Sequence, residues 1–122
     1  MSYNLLAPFK ILKAVSMGAN ITSDAVEVKL QDNVGVQLNW IGTPTGVFSV
    51  EVSMDYNEDI NGNITNQGNW ISLPLSPPIA ASGAADVAYI DLNQLSASYI
   101  RVKYTRTSGT GTLDCFVTAK GV

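Results

Sequence analysis

The chain has 122 residues, 10 acidic against 7 basic, a formal net charge of −3 and no histidine. It has room for one domain and no general attraction to nucleic acid or anionic membranes. Charged residues make up 14% of it, against about 25% in an average globular protein. Ser, Thr, Asn, Gln and Gly fill the difference, and such a weakly charged surface suits packing against copies of itself.

The chain opens with MSYNLLAP. Tyr3, Leu5 and Leu6 ahead of Pro8 read as a docking arm, with an edge strand folded onto the domain as the alternative. Residues 1–20 are thus expected to be arm and first strand, and residues 21–122 the main domain. The segment is no secretory signal, since Pro8, Lys10 and Lys13 break its apolar stretch. Residues 9–17 carry Phe9, Ile11, Val15 and Met17 on one period, with Leu12 off it. Val26, Val28 and Leu30 alternate with Glu27 and Lys29. After a break at Asp32-Asn33, Val34, Val36, Leu38 and Trp40 alternate with Gly35, Gln37 and Asn39. Phe48, Val50, Val52 and Met54 follow in the same manner. Residues 55–69 (DYNEDINGNITNQGN) form a long polar connection. A weaker strand is expected over 69–75, a second connection with Pro77-Pro78 over 76–85, and a strand over 86–92. Residues 93–98 fit a helical turn or a loop. Ile100, Val102 and Tyr104 alternate with Arg101 and Lys103. Ser108-Gly-Thr-Gly111 reads as a hairpin turn, and 112–119 as the last strand.

About eight period-two strands with turn signals between them predict an all-β domain: an antiparallel, jelly-roll-like β-sandwich with one face of each sheet wet. Two segments echo each other. Val36-x-Leu38-x-Trp40, then Thr43, Gly46 and Phe48, parallels Ile100-x-Val102-x-Tyr104, then Thr107, Gly111 and Leu113. No apolar run approaches the ~20 residues of a membrane helix.

The chemistry is defined mostly by what is missing. Without histidine, Ser-His-Asp triads, Cys-His pairs and most zinc or iron sites are excluded. Cys115 is a lone thiol on an alternating strand and reads as a buried structural residue in a chain that matures under reducing conditions. Asp55, Glu58 and Asp59 are the one dense carboxylate group, in a loop rather than a cleft. The expectation is therefore a chain without catalytic residues or cofactors. Asn57, Asp59 and Asn61 before Gly62 resemble the start of a calcium loop. Asn stands where the first ligand should be Asp, and Gly68 where the last should be Glu, so an Asx-rich turn is the simpler reading. Trp40, Trp70, Tyr89, Tyr99 and Tyr104 are candidates for a sugar platform, though Trp40 and Tyr104 fall in phase with the core. Asp55, Glu58 and Asp59 mid-chain and Arg101, Lys103 and Arg106 late in the chain form two charge patches. Each is either solvated surface or one half of a contact between copies.

The segments VQLNWIGTPTGVFSVEVSMDYN, GNWISLPLSP and IDLNQLSASYIRVKYTRTSGTGTLDCFVTAKG, from about Ile21 onward, resemble a family of small proteins encoded by tailed bacteriophages. The recurring elements are Trp40-Ile-Gly-Thr-Pro-Thr-Gly46, Asp91-Leu-Asn-Gln-Leu95 and the run from Tyr99 to Gly111. The resemblance implies a virion structural protein made in the host cytoplasm. It would be a capsid decoration (cement) protein that bridges neighbouring capsid subunits, or else a tail, neck or fibre component binding a receptor or glycan through sandwich loops. It further implies a homotrimer whose partners are its own copies and a major capsid or other virion protein, with neither nucleic acid nor membrane bound.

Overall fold

The computed structural model describes residues 5–28, 33–73, 75, 78–92 and 98–120. Within them the chain is all β, with twelve strands and no helix. Six are substantial: β1 (Leu5–Ser16), β4 (Asn33–Gly42), β5 (Thr45–Ser53), β10 (Asp86–Leu92), β11 (Tyr99–Ser108) and β12 (Gly111–Lys120). The rest are short: β2 (Ile21–Thr22), β3 (Val26–Glu27), β6 (Asn57–Glu58), β7 (Ile64–Asn66), β8 (Ile71–Ser72) and β9 (Ile79–Ser82). All pairings are antiparallel. One sheet runs β1-β12-β4-β10. In the other, β11 and β5 lie side by side, with β2 and β3 along β11 and β8 and β9 along β5. β6 and β7 make a separate small ribbon.

The alternation read from the sequence becomes the sandwich core. Val34, Val36, Leu38 and Trp40 of β4 face Phe48 and Val50 of β5, Ile100, Val102 and Tyr104 of β11, and Leu113, Cys115 and Val117 of β12 in one buried cluster. Trp40, Phe48 and Tyr104 form an aromatic run with centroids 4.9 Å apart at each step. The Trp40 indole N–H donates to the Ala84 carbonyl at 2.9 Å, so the polar edge of a buried ring is satisfied.

The echoing segments are the two limbs of a single ribbon. β4 pairs with β12 from Asn33↔Lys120 to Gly42↔Gly111, and β5 continues the pairing with β11 from Thr45↔Ser108 to Ser53↔Tyr99. The ribbon leaves one sheet and enters the other at a corner. The hairpin turn expected at Ser108–Gly111 is therefore a corner instead, because β11 and β12 pair with β5 and β4 and not with each other. Strands that change sheets need such a bend. Glycines make it: Gly42 and Gly109 have φ of 93° and 78°, and a Cβ on Gly109 or Gly111 would run into the Thr43 or Ile41 carbonyl. Thr43 N–H donates across the corner to the Thr110 carbonyl at 2.8 Å.

The weaker segments differ from expectation in specific ways. Residues 76–85 contain β9, which pairs with Thr45–Phe48. Its Ala/Ser sequence has little intrinsic strand preference, and β5 imposes the conformation. The strand expected over 69–75 shrinks to β8, with Ile71 68% exposed. Met54, in phase with the core, is 70% exposed, because β5 ends at Ser53 and the period ends with it. Only β3 represents the strand expected over 26–30, whose last two residues lie outside the described set, as do Asp32 and most of 93–98. Leu5 and Leu6 pair with Lys120 and Ala119 along β12, and Tyr3 lies outside the described residues.

Replacing Gly109 by Ala should cost about 2–3 kcal/mol, the cost of forcing an L-residue into a left-handed conformation against a backbone carbonyl. Urea unfolding monitored by tryptophan fluorescence will show it as a lower midpoint. Ala at Gly62, which has positive φ but open space around it, should cost less than half as much.

Candidate functional site

The outer face of the β5–β11 sheet holds the densest group of polar and aromatic side chains. Tyr99, Arg101 and Lys103 point outward from β11 because Ile100, Val102 and Tyr104 point inward. Register places Arg101 beside Glu51. The Arg101 Nε–H donates to Glu51 Oε1 at 2.7 Å, and Lys103 Nζ stands 3.8 Å from Glu51 Oε2. The 54–70 segment folds over this face. Tyr56 sits edge-on to Tyr99 with centroids 4.8 Å apart and 5.3 Å from Trp70. The Arg101 guanidinium lies 4.2 Å from the Trp70 ring centroid, a cation–π contact. Burial and then the hydrogen bond to Glu58 push the Tyr56 phenol up to about 12. Burial and the bond to Glu27 raise that of Tyr99.

The carboxylates proposed from sequence as a patch act locally. Asp55 accepts from the Asn69 backbone and side-chain N–H groups, both at 2.7 Å, and from the Ser53 hydroxyl. These bonds hold its carboxyl below the ordinary value. Asp59 accepts from the backbone N–H groups of Asn61 and Asn63 at 2.9 Å each, with its carboxyl lowered for the same reason. Glu58 accepts from the Tyr56 hydroxyl. Arg106 donates from Nε to the Gly109 carbonyl and from its backbone N–H to Asn20 Oδ1, which pins the sheet corner. Each acidic residue of the patch thus closes its own loop, and Arg101 and Lys103 share Glu51. A charged residue in the outward phase of a neighbouring strand was the signal for that partner.

Asn57 and Asp59 of the expected calcium-loop start are engaged in turn hydrogen bonds. Asn57 Nδ2 donates to the Thr65 hydroxyl at 3.1 Å across the small ribbon, while Asp59 receives backbone amides. Among the described residues no group of three or more Asp, Glu or Cys side chains is placed to hold a metal. Cys115 is buried, and burial alone pushes its thiol up to about 12. Trp40 and Tyr104 are interior. The Tyr104 hydroxyl has no hydrogen-bond partner among the described residues, and burial raises its pKa.

Among the sugar-platform candidates, Tyr89 is open, at 61% exposure. It lies on the outer face of the other sheet, over Gly35, where a Cβ would come within 2.6 Å of its hydroxyl. Gly35, Gln37, Phe116 and Thr118 line a shallow hollow of about 80 Å³ beside it. Sequence reasoning missed the exposed apolar side chains Ile60 and Ile64 on the covering segment, with Ile60 fully exposed at the tip of the β6–β7 ribbon, and read Met54 and Ile71, both exposed, as parts of periodic strands. No period marks Ile60 or Ile64, because the segment alternates with nothing.

The fold and this surface define an antiparallel β-sandwich with one loop-covered outer face and exposed apolar side chains on the covering loop. Comparison with solved structures places it beside the SPBc2 prophage-derived protein YomS, at a TM-score of 0.52 and 13% identity over 97% of this chain and 96% of that one. It also superposes on a chain from the structure of infectious bursal disease virus Gx strain, at 0.53 and 6% identity, over 98% of this chain and 32% of that one. At these identities the likeness is one of fold. No family model matches the chain, and no curated protein matches it.

Arg101→Ala removes both the cation–π contact and the closest partner of a partly buried Glu51. A loss of about 1–2 kcal/mol follows, together with a red-shifted Trp70 emission as the covering segment loosens. An unshifted spectrum would show that Tyr56 alone holds it.

From neutral pH stability should be flat up to about 9 and then fall. Below the unfolded thiol value of 9.0, Cys115 is protonated in both states. Between there and about 12 the unfolded chain binds fewer protons, so each unit of pH removes about 1.4 kcal/mol for that group. Tyr56 adds its share above 10. Urea titrations from pH 8 to 10 check this, and Cys115→Ala should flatten the stretch between 9 and 10.

Proposed function

We propose that this chain is a structural component of a bacteriophage particle, and within the particle a capsid decoration protein that bridges neighbouring shell subunits. The observation that carries the reading is the likeness of fold to the prophage-derived protein, which extends over nearly the whole of both chains. The surface chemistry supports it. A decoration protein adds binding free energy that the closed shell gains and the open shell lacks, so it needs contact surface and not a reaction centre. Met54, Ile60 and Ile64 on the covering segment and Ile71 of β8 offer apolar contact. The charges that would keep copies apart are few and are held within the chain.

Copy number decides between positions in the particle. Purified particles resolved on a stained gel should contain this chain in amounts comparable with the major shell protein, running near 13.0 kDa. A handful of copies per particle would overturn the decoration role and favour the tail.

A further inference from the structure

An edge strand presents a row of unpaired N–H and C=O groups, and folded proteins protect such edges with bulges, lysines, prolines or interruptions. Three of the four edges of this sandwich are protected in that way. β1 breaks register with β12 at three places. It bears Lys10 and Lys13, and at Ala14 it takes a φ of 47°, where the backbone N–H turns to the Asp114 carboxylate at 2.9 Å. The β2/β3 edge is interrupted at Ser23, whose side-chain hydroxyl accepts the Val102 N–H at 2.9 Å. The opposite edge of that sheet consists of β8 and β9, which cover separate stretches of β5.

β10 is different. Its seven residues pair with β4 in unbroken register from Asp86↔Trp40 to Leu92↔Val34. It carries no lysine, proline or bulge, and among the described residues it pairs with nothing on its other side. Val87 and Tyr89 stand on its outer face at 64% and 61% exposure.

We propose that β10 is the docking edge for a second copy of this chain, the two β10 strands pairing antiparallel so that the four-stranded sheets run on as one. The strand is self-complementary. With Ala88 opposite the copy's Ala88, inward residues meet inward residues, and Val87 lies against the copy's Tyr89 twice over, an aliphatic–aromatic cross-strand pair. The two acidic residues never meet. Asp86 faces the copy's Ile90, and Asp91 faces the copy's Ala85, so the pairing brings no like charges together. A shift of one residue would oppose Asp86 to the copy's Asp91 and set inward side chains against outward ones. Adding a strand to a sheet through main-chain bonds is an established mode of recognition, and the two-fold contact closes on itself as a dimer. The inference names a contact between copies and does not depend on the particle role. Mass in solution tests it, whereas copy number tests that role.

Sedimentation of the purified chain over a range of concentrations should show a monomer–dimer equilibrium. Val87→Lys, which places a charge at the edge, should weaken it at least about ten-fold, a change of 1.4 kcal/mol. Val47→Lys, on β5 of the other sheet, should leave it unchanged. Ala88→Cys gives a second readout that survives any folding defect of the lysine variant. Facing Cα atoms across an antiparallel pair are about 4.5–5.5 Å apart, within disulfide range, so oxidation should link the chains, and Val47→Cys should not. A chain that stays monomeric or forms trimers, a Val87→Lys dimer as tight as the original, or an Ala88→Cys chain that does not cross-link would each overturn the proposal.

Discussion

Two antiparallel pairings, β4 with β12 and β5 with β11, are one ribbon bent through a corner, and everything else in the sandwich is arranged on it. The bend forces the two chain segments together at Gly42–Thr45 and Ser108–Gly111. The contact is tight enough that carbonyls of one limb occupy the space a side chain on the other would need. Because the ribbon belongs to both sheets, its inward residues line both inner faces. Val36, Leu38 and Trp40 therefore pack against Val50, Phe48 and Tyr104, and among the described residues no helix holds the layers together. The outer strands are additions to the ribbon, and the 54–70 segment is an addition to one of its faces.

That hierarchy explains what was legible in the sequence. The four ribbon strands show near-perfect alternation because each has one face in the core, and they were read within one to four residues of their ends. Their mutual echo was visible too, although its cause was a bend and not a pair of hairpins. The β11–β12 connection has the composition of a turn, and only the pairing partners distinguish a corner from a hairpin. β9 was illegible because its Ala and Ser residues follow a neighbour's backbone without any pattern of their own. Met54 misled for the opposite reason, continuing a pattern past the point where the strand ends.

The outer-face cluster was half legible. Arg101 and Lys103 were recognisable as outward cations, read either as solvated surface or as meeting the acidic loop of a neighbouring copy, and their partner within the chain was not read. Density in sequence is a poor guide to proximity. Asp55 and Asp59 sit among asparagines whose backbone N–H groups are closer and better aligned than any distant cation, so they stabilise turns. Glu51, isolated in sequence, is one strand away from Arg101 and in phase with it. The same loop places Tyr56 over Tyr99, and burial of two phenols beside Glu58 and Glu27 is a consequence of that cover, with no sequence signal of its own.

With so few charges and most of the prominent ones engaged inside the chain, the contacts proposed between this protein and its neighbours would depend little on Coulomb attraction. Exposed ion pairs between copies would weaken within a Debye length of about 8 Å at physiological salt, whereas apolar tips such as Ile60 and main-chain groups along an edge are screened hardly at all. The molecule separates the two kinds of surface. Charge and Asx chemistry stiffen the cover over one sheet, where Arg101, Glu51 and Trp70 lock together. The other sheet keeps its outer face open around Val87 and Tyr89 and leaves one edge regular. A sandwich stiffened on one side and open at one edge is suited to holding neighbours in fixed positions under changing salt. The cost of such a regular edge is a standing tendency to associate.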